Sequence, residues 1–204
     1  REQVGSVGEP LPDTDVYIAD NGEVLVRGGH VFAGYWRKPE KTAEDIRDGW
    51  WHTGDVGHLE DGMLTITGRL KDIIITAGGK NIAPKNIELA LTNDALVSQA
   101  VVIGDRRKFL SAVLTLDPEA AVKFAKEHNL SGDALHNDPV VIAAIQAVVD
   151  TVNPMFARVE HIRKFTLLSR ELSVEDGELT PSLKIKRNKV NAHFEAEIEA
   201  MYAD

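Results

Sequence analysis

The chain has 204 residues, of which 43% are hydrophobic and 27% charged, and its formal net charge is −9. This hydrophobic fraction suffices for a packed core, and the interspersed charges disfavour a disordered chain. The negative net charge disfavours nucleic acid and anionic membrane surfaces as partners, because both attract cations. The absence of cysteine excludes disulfides and thiolate sites and is compatible with a cytoplasmic protein, which we expect to have at most peripheral contact with a membrane.

The first seventy residues have the pattern of short strands joined by tight turns. Two apolar runs flank Asp20-Asn21-Gly22, and Asn-Gly between such runs predicts a hairpin whose two turn residues have positive φ. A second hairpin is predicted across Glu60-Asp61-Gly62, and a short helix at 41–44. We therefore predict a small β-rich unit, part of a barrel. The predicted strands are 16–18, 24–26, 56–59 and 63–67.

From about residue 70, strands and helices are mixed. Aspartate can cap a helix and proline tolerates its first position, so Asp117-Pro118 and Asp138-Pro139 predict helix starts. The second start leads into a nearly all-apolar helix that ends at Val152 and is expected to be buried on most sides. The pattern predicts a compact α+β domain with a small sheet flanked by helices. Further predicted elements are strands at 97–103 and 111–116, a helix that starts after Pro84 and runs through Ile87 and Leu91, and a C-terminal amphipathic helix with Val190, Phe194, Ile198 and Met201 on its apolar face. Residues 73–75 form a β-branched run.

Two segments in the first part of the chain are candidate ligand sites. The segment 49–55, Gly-Trp-Trp-His-Thr-Gly-Asp, would place the carboxylate of Asp55 in a turn, where it could accept two hydrogen bonds from a ribose diol. The alternative is an Asx turn at the start of a strand. In the segment 68–72, Arg69 offers a rigid fork of donors for hydroxyls, carboxylate or phosphate. The alternative is a solvated charge cluster at the end of a strand.

Two later segments have the composition of ligand-contacting loops. The segment 76–81 contains Gly78 and Gly79, and paired glycines let a ligand approach the backbone closely. The alternative is a tight hairpin turn, and a Walker phosphate loop is excluded because Asn81 follows the lysine. The segment 180–187, Thr-Pro-Ser-Leu-Lys-Ile-Lys-Arg, concentrates positive charge that could meet phosphates. The alternative is a basic approach to a helix.

The order and spacing of four motifs are more specific than any motif alone. The motifs GYWRKPEKTAE, DGWWHTGD, GRLKDIIITAGGKNIAP and LTPSLKIKR resemble consecutive motifs of the adenylate-forming superfamily, which includes acyl-CoA synthetases, luciferase-like enzymes and peptide-synthetase adenylation domains. The chain looks most like the C-terminal part of a bacterial long-chain fatty-acid–CoA ligase. The resemblance implies that residues 1–70 end the large N-terminal adenylation domain and that residues 71–204 form the small mobile domain.

The resemblance also implies two reaction steps. A carboxylic acid and ATP first give an acyl-adenylate and pyrophosphate, and coenzyme A then takes the acyl group. Asp55 and Arg69 would hold the ribose of ATP and of the acyl-adenylate. Lys184 would be the catalytic residue of the first step, bridging the α-phosphate and the acyl carboxylate. Its positive charge would offset the repulsion between these two anions.

Other roles implied by the resemblance concern the movement between the two steps. Lys71 would be the hinge about which the small domain rotates, and Gly78 and Gly79 would border the tunnel that admits coenzyme A. Ile75 stands where some relatives have a lysine used in thioester formation, so that role is not transferred. Asn81 stands where some long-chain relatives have an aromatic residue.

Several parts of such an enzyme are expected upstream of this sequence. These are the phosphate-binding loop, the ligands of the Mg²⁺ that accompanies ATP, and the acyl pocket. We therefore expect no metal site within these residues and no activity from them alone; their partners would be fatty acid, ATP, CoA and the missing N-terminal domain. Alternatives are an aryl- or short-chain-CoA ligase, an adenylation domain serving a carrier protein, and a non-catalytic interaction module of the same fold.

Overall fold

The computed structural model of the protein describes residues 5–130 and 134–203. The chain divides into two compact units, Arg1–Ile73 and Ile74–Asp204. The first unit is built mainly from antiparallel strands, and the second combines strands and helices. The predicted α+β class is therefore confirmed. The assignment of these parts to domains of a longer enzyme stays a prediction.

The first unit is organised around one five-stranded antiparallel sheet. Its elements are β1 (Thr14–Ile18), β2 (Glu23–Gly28), α1 (Pro39–Asp45), β3 (Ile46–Arg47), β4 (Trp50–Glu60) and β5 (Met63–Arg69). The strands run in the order β1-β2-β4-β3, and β5 pairs with β4. Strand β4 therefore has three hydrogen-bonded neighbours along its length. Their hydrogen bonds hold the His-Thr-Gly-Asp segment that ends at Asp55 from both sides.

Both predicted hairpins are present, but their turns differ. Between β4 and β5, Asp61 and Gly62 have φ values of 50° and 81°, as a two-residue turn of this kind requires. Between β1 and β2, Gly22 has a φ of 84°, whereas Asn21 does not have a positive φ. The amide of Gly22 donates a hydrogen bond of 2.8 Å to the carbonyl of Ala19. The expectation that both residues of the Asn-Gly pair have positive φ was therefore wrong.

Strand β4 starts earlier than the sequence pattern indicated. It begins at Trp50, so Asp55 lies within a strand, and both the turn and the strand-start interpretations of this motif were wrong. The strand is irregular here: Gly54 has a φ of 71°, and the register against β5 shifts between Val56 and Gly57. A Cβ on Gly57 would lie 2.4 Å from a backbone carbonyl oxygen, so this close approach of the two strands requires glycine.

The second unit has a three-stranded sheet and a separate small hairpin. Its elements are β6 (Ile74–Ile75), β7 (Asn81–Ile82), α2 (Pro84–Leu91), β8 (Val97–Ile103), β9 (Leu110–Leu116), α3 (Pro118–Glu127), α4 (Pro139–Val152), β10 (Ile162–Leu167), α5 (Arg187–His193) and α6 (Glu195–Tyr202). The sheet order is β10-β9-β8. Strands β8 and β9 are antiparallel, and β10, which the sequence analysis did not predict, runs parallel to β9.

The central strand β9 is buried on both faces. Ala112 and Leu114 belong to a core cluster on one side, together with residues of α2, α3 and α4. Val113 belongs to a second cluster, which includes Val190 of α5 and Ile198 of α6. Helices therefore cover the two faces of the sheet, and the prediction of a small sheet flanked by helices is confirmed.

Helix α4 is less buried than its composition suggested. Val141, Ile145 and Val149 form a buried stripe, but Val140 and Ile142 are 42% and 40% exposed. The expectation of burial on most sides was therefore wrong. A spacing of four residues places the three buried side chains on one face, and only that face meets the core.

The predicted helix boundaries in the second unit are largely reproduced. The side chains of Asp117 and Asp138 cap α3 and α4 by accepting 2.8 Å hydrogen bonds from backbone amides. The single C-terminal helix expected from the sequence is instead two helices, which meet at Phe194 with φ −113° and ψ 30°. The four apolar residues predicted for its inner face are all buried.

Candidate functional site

A cleft in the first unit contains three of the residues singled out from the sequence. Asp55, Arg69 and Lys71 all line this cleft, whose volume is about 770 Å³. Clefts of this size are typical of small-molecule sites. Its other walls come from α1, β3 and β4 and include the side chains of Trp51 and His52.

Asp55 and Arg69 form a cross-strand pair at the edge of this cleft. They are direct partners in the β4–β5 register, and Nε of Arg69 lies 2.7 Å from Oδ1 of Asp55. Nη1 of Arg69 also donates a hydrogen bond of 3.3 Å to the carbonyl of Thr53. The side chain of Asp55 is 30% exposed and that of Arg69 is 62% exposed. A ligand hydroxyl arriving here would find a carboxylate acceptor and guanidinium donors side by side.

A buried carboxylate that was not predicted from the sequence stabilises the backbone next to Asp55. Glu23 is only 6% exposed, and its Oε1 accepts a 3.0 Å hydrogen bond from the amide of Gly54. Its Oε2 lies 3.0 Å from Nδ1 of His52. The hydroxyl of Thr53 accepts from the amide of Asp55 and donates to a carbonyl of β2. The polar residues of the motif therefore stabilise the irregular strand, and His52 serves that structure.

Lys71 lies just beyond β5. It is the central residue of a 3-10 turn, Leu70–Asp72, and its side chain is exposed. The division between the two units follows at Ile73 and Ile74. The role of Lys71 as a hinge stays a prediction.

Gly78 and Gly79 lie in the second unit, in the turn between β6 and β7. The amide of Thr76 donates to the carbonyl of Lys80 over 3.1 Å, so the alternative of a tight hairpin turn describes this segment. Gly79 has a φ of 70°, a region that favours glycine, and a Cβ there would meet nothing within 4 Å. At Gly78 the nearest atom would be 3.9 Å away. The space above both glycines is open, and their proximity to coenzyme A stays a prediction.

Lys184 also lies in the second unit, in a tight exposed loop. The amide of Thr180 donates to the carbonyl of Lys184 over 2.8 Å, and the amide of Lys184 donates to the hydroxyl of Thr180 over 3.0 Å. The residues on either side, Leu179 and Ile185, form an antiparallel bridge. Leu183, at the turn, has a φ of 58° and is 71% exposed. Lys184 is therefore exposed to solvent in a closed loop. It lies before helix α5, which begins at Arg187.

The described residues contain no cluster of three histidine, aspartate or glutamate side chains suited to a metal ion. Within the same residues, no helix has both the length and the apolar character needed to cross a membrane.

Comparison with known proteins decides the family. The model of the AMP-binding enzyme C-terminal domain matches residues 71–204. The chain belongs to this family. The resemblance to the adenylate-forming superfamily, noted from four motifs, is thereby confirmed.

Several curated relatives of the chain are named as fatty-acid–CoA ligases. The long-chain-fatty-acid–CoA ligase FadD15 of Mycobacterium tuberculosis is 47% identical over 98% of the chain, which covers 34% of that protein. The putative fatty-acid–CoA ligase fadD11 of the same species is 41% identical over 98% of the chain and 36% of that protein. The mouse long-chain-fatty-acid–CoA ligase ACSBG1 is 40% identical over 98% of the chain and 32% of that protein. The chain thus spans about a third of the length of these relatives.

Two solved structures illustrate the likeness in fold. The adenylation domain of a carboxylate reductase from Mycobacterium chelonae matches 96% of the chain, which covers 32% of that domain's chain, with a TM-score of 0.76 and 28% identity. The o-succinylbenzoate coenzyme A synthetase of Bacillus subtilis, solved in complex with AMP, matches 91% of the chain, which covers 35% of that protein, with a TM-score of 0.65 and 25% identity.

Proposed function

We propose that this chain is the C-terminal portion of an ATP-dependent long-chain fatty-acid–CoA ligase. Residues 1–70 would end its large N-terminal domain, and residues 71–204 would form its small mobile domain. The observation that carries the proposal is the 47% identity to FadD15 across 98% of the chain. The cleft beside the Asp55–Arg69 pair supports it, because its size and its polar groups suit the ribose of a nucleotide.

In the first half-reaction, an oxygen of the fatty-acid carboxylate attacks the α-phosphorus of ATP, and the bond to the pyrophosphate leaving group breaks. Asp55 would accept hydrogen bonds from the ribose hydroxyls, and Arg69 would contact the same sugar and fix the nucleotide's position. The ammonium of Lys184 would lie between the carboxylate and the α-phosphate. A fixed cation there neutralises charge that concentrates as the two anions meet. Mg²⁺ would lower the charge of the triphosphate when bound, with ligands from the rest of the intact protein.

In the second half-reaction, the sulfur of coenzyme A attacks the acyl carbonyl and AMP leaves. The small domain would first rotate about Lys71 and withdraw Lys184 from the nucleotide. Gly78 and Gly79 would then border the pantetheine arm, because the open space above their backbone admits a narrow chain. A hinge of this kind needs few residues. We place the reaction in the cytoplasm, with at most peripheral contact between the enzyme and a membrane.

The proposal is tested with the purified intact protein and a panel of long-chain, short-chain and aryl acids. Long-chain acids should support ATP–pyrophosphate exchange without coenzyme A and acyl-CoA formation with it. Residues 1–204 alone should support neither, because the phosphate loop and the acyl pocket are expected elsewhere in the protein. Both reactions can be followed with radiolabelled pyrophosphate and by chromatography of acyl-CoA.

Each alternative would give a different result in the same panel. Preference for an aryl or short-chain acid would indicate a ligase of another substrate class. Exchange without any acyl-CoA product would indicate an enzyme that serves a carrier protein. Absence of exchange with every acid would favour a non-catalytic module. Turnover by residues 1–204 alone would show that the division of the active site proposed here is wrong.

A further inference from the structure

The second unit contains a fully buried carboxylate close in sequence to Lys184. Glu178 is 0% exposed, and Arg170 donates to both of its oxygens, with Nη1–Oε2 and Nη2–Oε1 distances of 2.8 and 2.6 Å. The amide of Ser173 donates to Oε2 over 3.0 Å, and Nδ1 of His193 lies 3.1 Å from Oε1. The hydrogen bonds from Arg170 lower the pKa of Glu178 to about 2 against the opposing effect of burial, so the side chain is an anion at neutral pH.

The backbone of Glu178 closes the base of the loop that carries Lys184. Its carbonyl accepts a 2.7 Å hydrogen bond from the amide of Lys186. One residue further along, Leu179 and Ile185 form the antiparallel bridge, and the loop follows directly. Glu178 and Lys184 are therefore joined by a very short ladder. An isolated ladder of this length has little stability of its own, so its position depends on what its base is attached to.

That base is attached to two other parts of the second unit. The guanidinium of Arg170 lies 5.3 Å from the ring centre of Phe194, the residue that follows α5, and His193 is the last residue of α5. Leu172 and Leu179 are buried in the core cluster that contains Phe194. The carboxylate of Glu178 therefore ties the ladder to α5 and to the segment 170–173. Beyond the ladder, residues 181–184 are exposed.

A buried ion pair is a poor way to gain stability alone. The cost of removing two charges from water offsets much of their attraction, and apolar residues of equal volume often stabilise a fold as well. Directional hydrogen bonds to both carboxylate oxygens do, however, define one geometry. Catalysis depends on the position of the catalytic group, since misplacing it by about 1 Å can cost about a hundredfold in rate.

We propose that Glu178 is a positioning residue for Lys184: its buried carboxylate, held by Arg170 and His193, fixes the base of the loop and thereby places the lysine for adenylation. The inference rests on the proposed function, because it assigns a partner to the proposed catalytic lysine. Because Glu178 is fully buried, it would act through the loop and not by contact with substrate.

The test is Glu178→Gln in the intact protein. The amide keeps the volume of the side chain but brings an NH₂ group towards the donors of Arg170, so the bidentate contact is lost. We expect the rate of adenylation, measured as ATP–pyrophosphate exchange at saturating substrates, to fall about ten- to hundredfold. Thioester formation from supplied acyl-adenylate should stay at the wild-type rate, because Lys184 is withdrawn in that step. In a Lys184→Ala background, Glu178→Gln should cause no further loss of exchange.

The matched control is Glu199→Gln. Glu199 also receives two hydrogen bonds from one arginine, Arg107, in the same unit, but it makes no hydrogen bond to the loop of Lys184. Both half-reactions should keep wild-type rates in this variant. If the Glu178→Gln protein does not fold, the Arg170→Lys variant tests the positioning role instead. A single ammonium cannot reproduce the fork, and the Arg170 side chain is 43% exposed, so this change should be tolerated and should give the same selective loss of exchange.

Failure of the inference differs from failure of the proposed function. If Lys184→Ala itself leaves exchange intact, the role of the lysine in the proposed function is wrong. If Lys184→Ala abolishes exchange while Glu178→Gln or Arg170→Lys leaves it unchanged, only the positioning role is wrong. Equal loss of both half-reactions, or a further loss in the Lys184→Ala background, would also overturn the positioning role in favour of general stabilisation of the fold.

Discussion

Replacing Lys184 with alanine in the intact protein is expected to lower the rate of adenylation about 100- to 1000-fold, the usual effect of removing one preorganised group that stabilises charge in a transition state. The structure places this lysine at an exposed position in a closed loop, where its ammonium can reach a ligand. Thioester formation from supplied acyl-adenylate should change little. The two half-reactions are measured separately by pyrophosphate exchange and by rapid-quench analysis of acyl-CoA.

Lys189→Ala is the matched control for that loss. Lys189 is another exposed lysine of the second unit, but it lies within α5 and outside the loop. Its replacement removes the same charge from the protein and should leave both half-reactions unchanged. A Lys184→Ala enzyme that adenylates normally but cannot form the thioester would mean that the lysine serves the second step, contrary to our assignment.

The second large effect is expected for Asp55→Asn, which should weaken the binding of ATP about ten- to hundredfold, because hydrogen bonds to a charged group contribute about 1.5–3 kcal/mol. The amide retains the size of the side chain but can accept fewer and weaker hydrogen bonds from the two ribose hydroxyls. Loss of the Asp55–Arg69 ion pair should by itself matter little for folding, because exposed pairs contribute at most about 1 kcal/mol. Titration calorimetry with ATP measures the effect directly.

The same sheet offers a control for Asp55. Asp15 and Arg27 are also a cross-strand pair, between β1 and β2, with Nη2 of Arg27 2.7 Å from Oδ2 of Asp15. Asp15→Asn removes an equivalent ion pair that does not line the cleft, so ATP binding should stay at the wild-type level. Equal weakening in both variants would trace the effect to the sheet, and normal binding by Asp55→Asn would remove Asp55 from the nucleotide site.

Several features decided by neighbouring residues were predictable from the sequence, although the conformation of Asn21 was not. The caps at Asp117 and Asp138 and the turn at Asp61-Gly62 depend on groups within four residues of one another, and all of them are present. Strand β10 was missed because it pairs in parallel with β9, some fifty residues earlier, and because Arg163 and Lys164 interrupt its apolar pattern. Long-range pairing of this kind leaves little local signal.

In the candidate site, too, the residues of local motifs were predictable from the sequence, whereas their long-range contacts were not. The motifs identified Asp55 and Arg69 separately, but their direct pairing follows from the β4–β5 register, which the sequence analysis did not carry that far. Glu178 was missed because it follows Glu175, Asp176 and Gly177 and therefore has the sequence of a solvated acidic turn. Its burial depends on Arg170 and His193, which reach it only in the folded unit.

The most direct test of the account is a structure of the intact protein with a fatty acid and α,β-methylene-ATP, which cannot lose pyrophosphate by the normal route. We predict that the ribose hydroxyls lie within hydrogen-bonding distance of the Asp55 carboxylate and of Arg69, and that the ammonium of Lys184 contacts the α-phosphate. A nucleotide bound with its sugar away from Asp55 and Arg69, or a lysine that cannot approach the phosphate in any arrangement of the two units, would contradict the account.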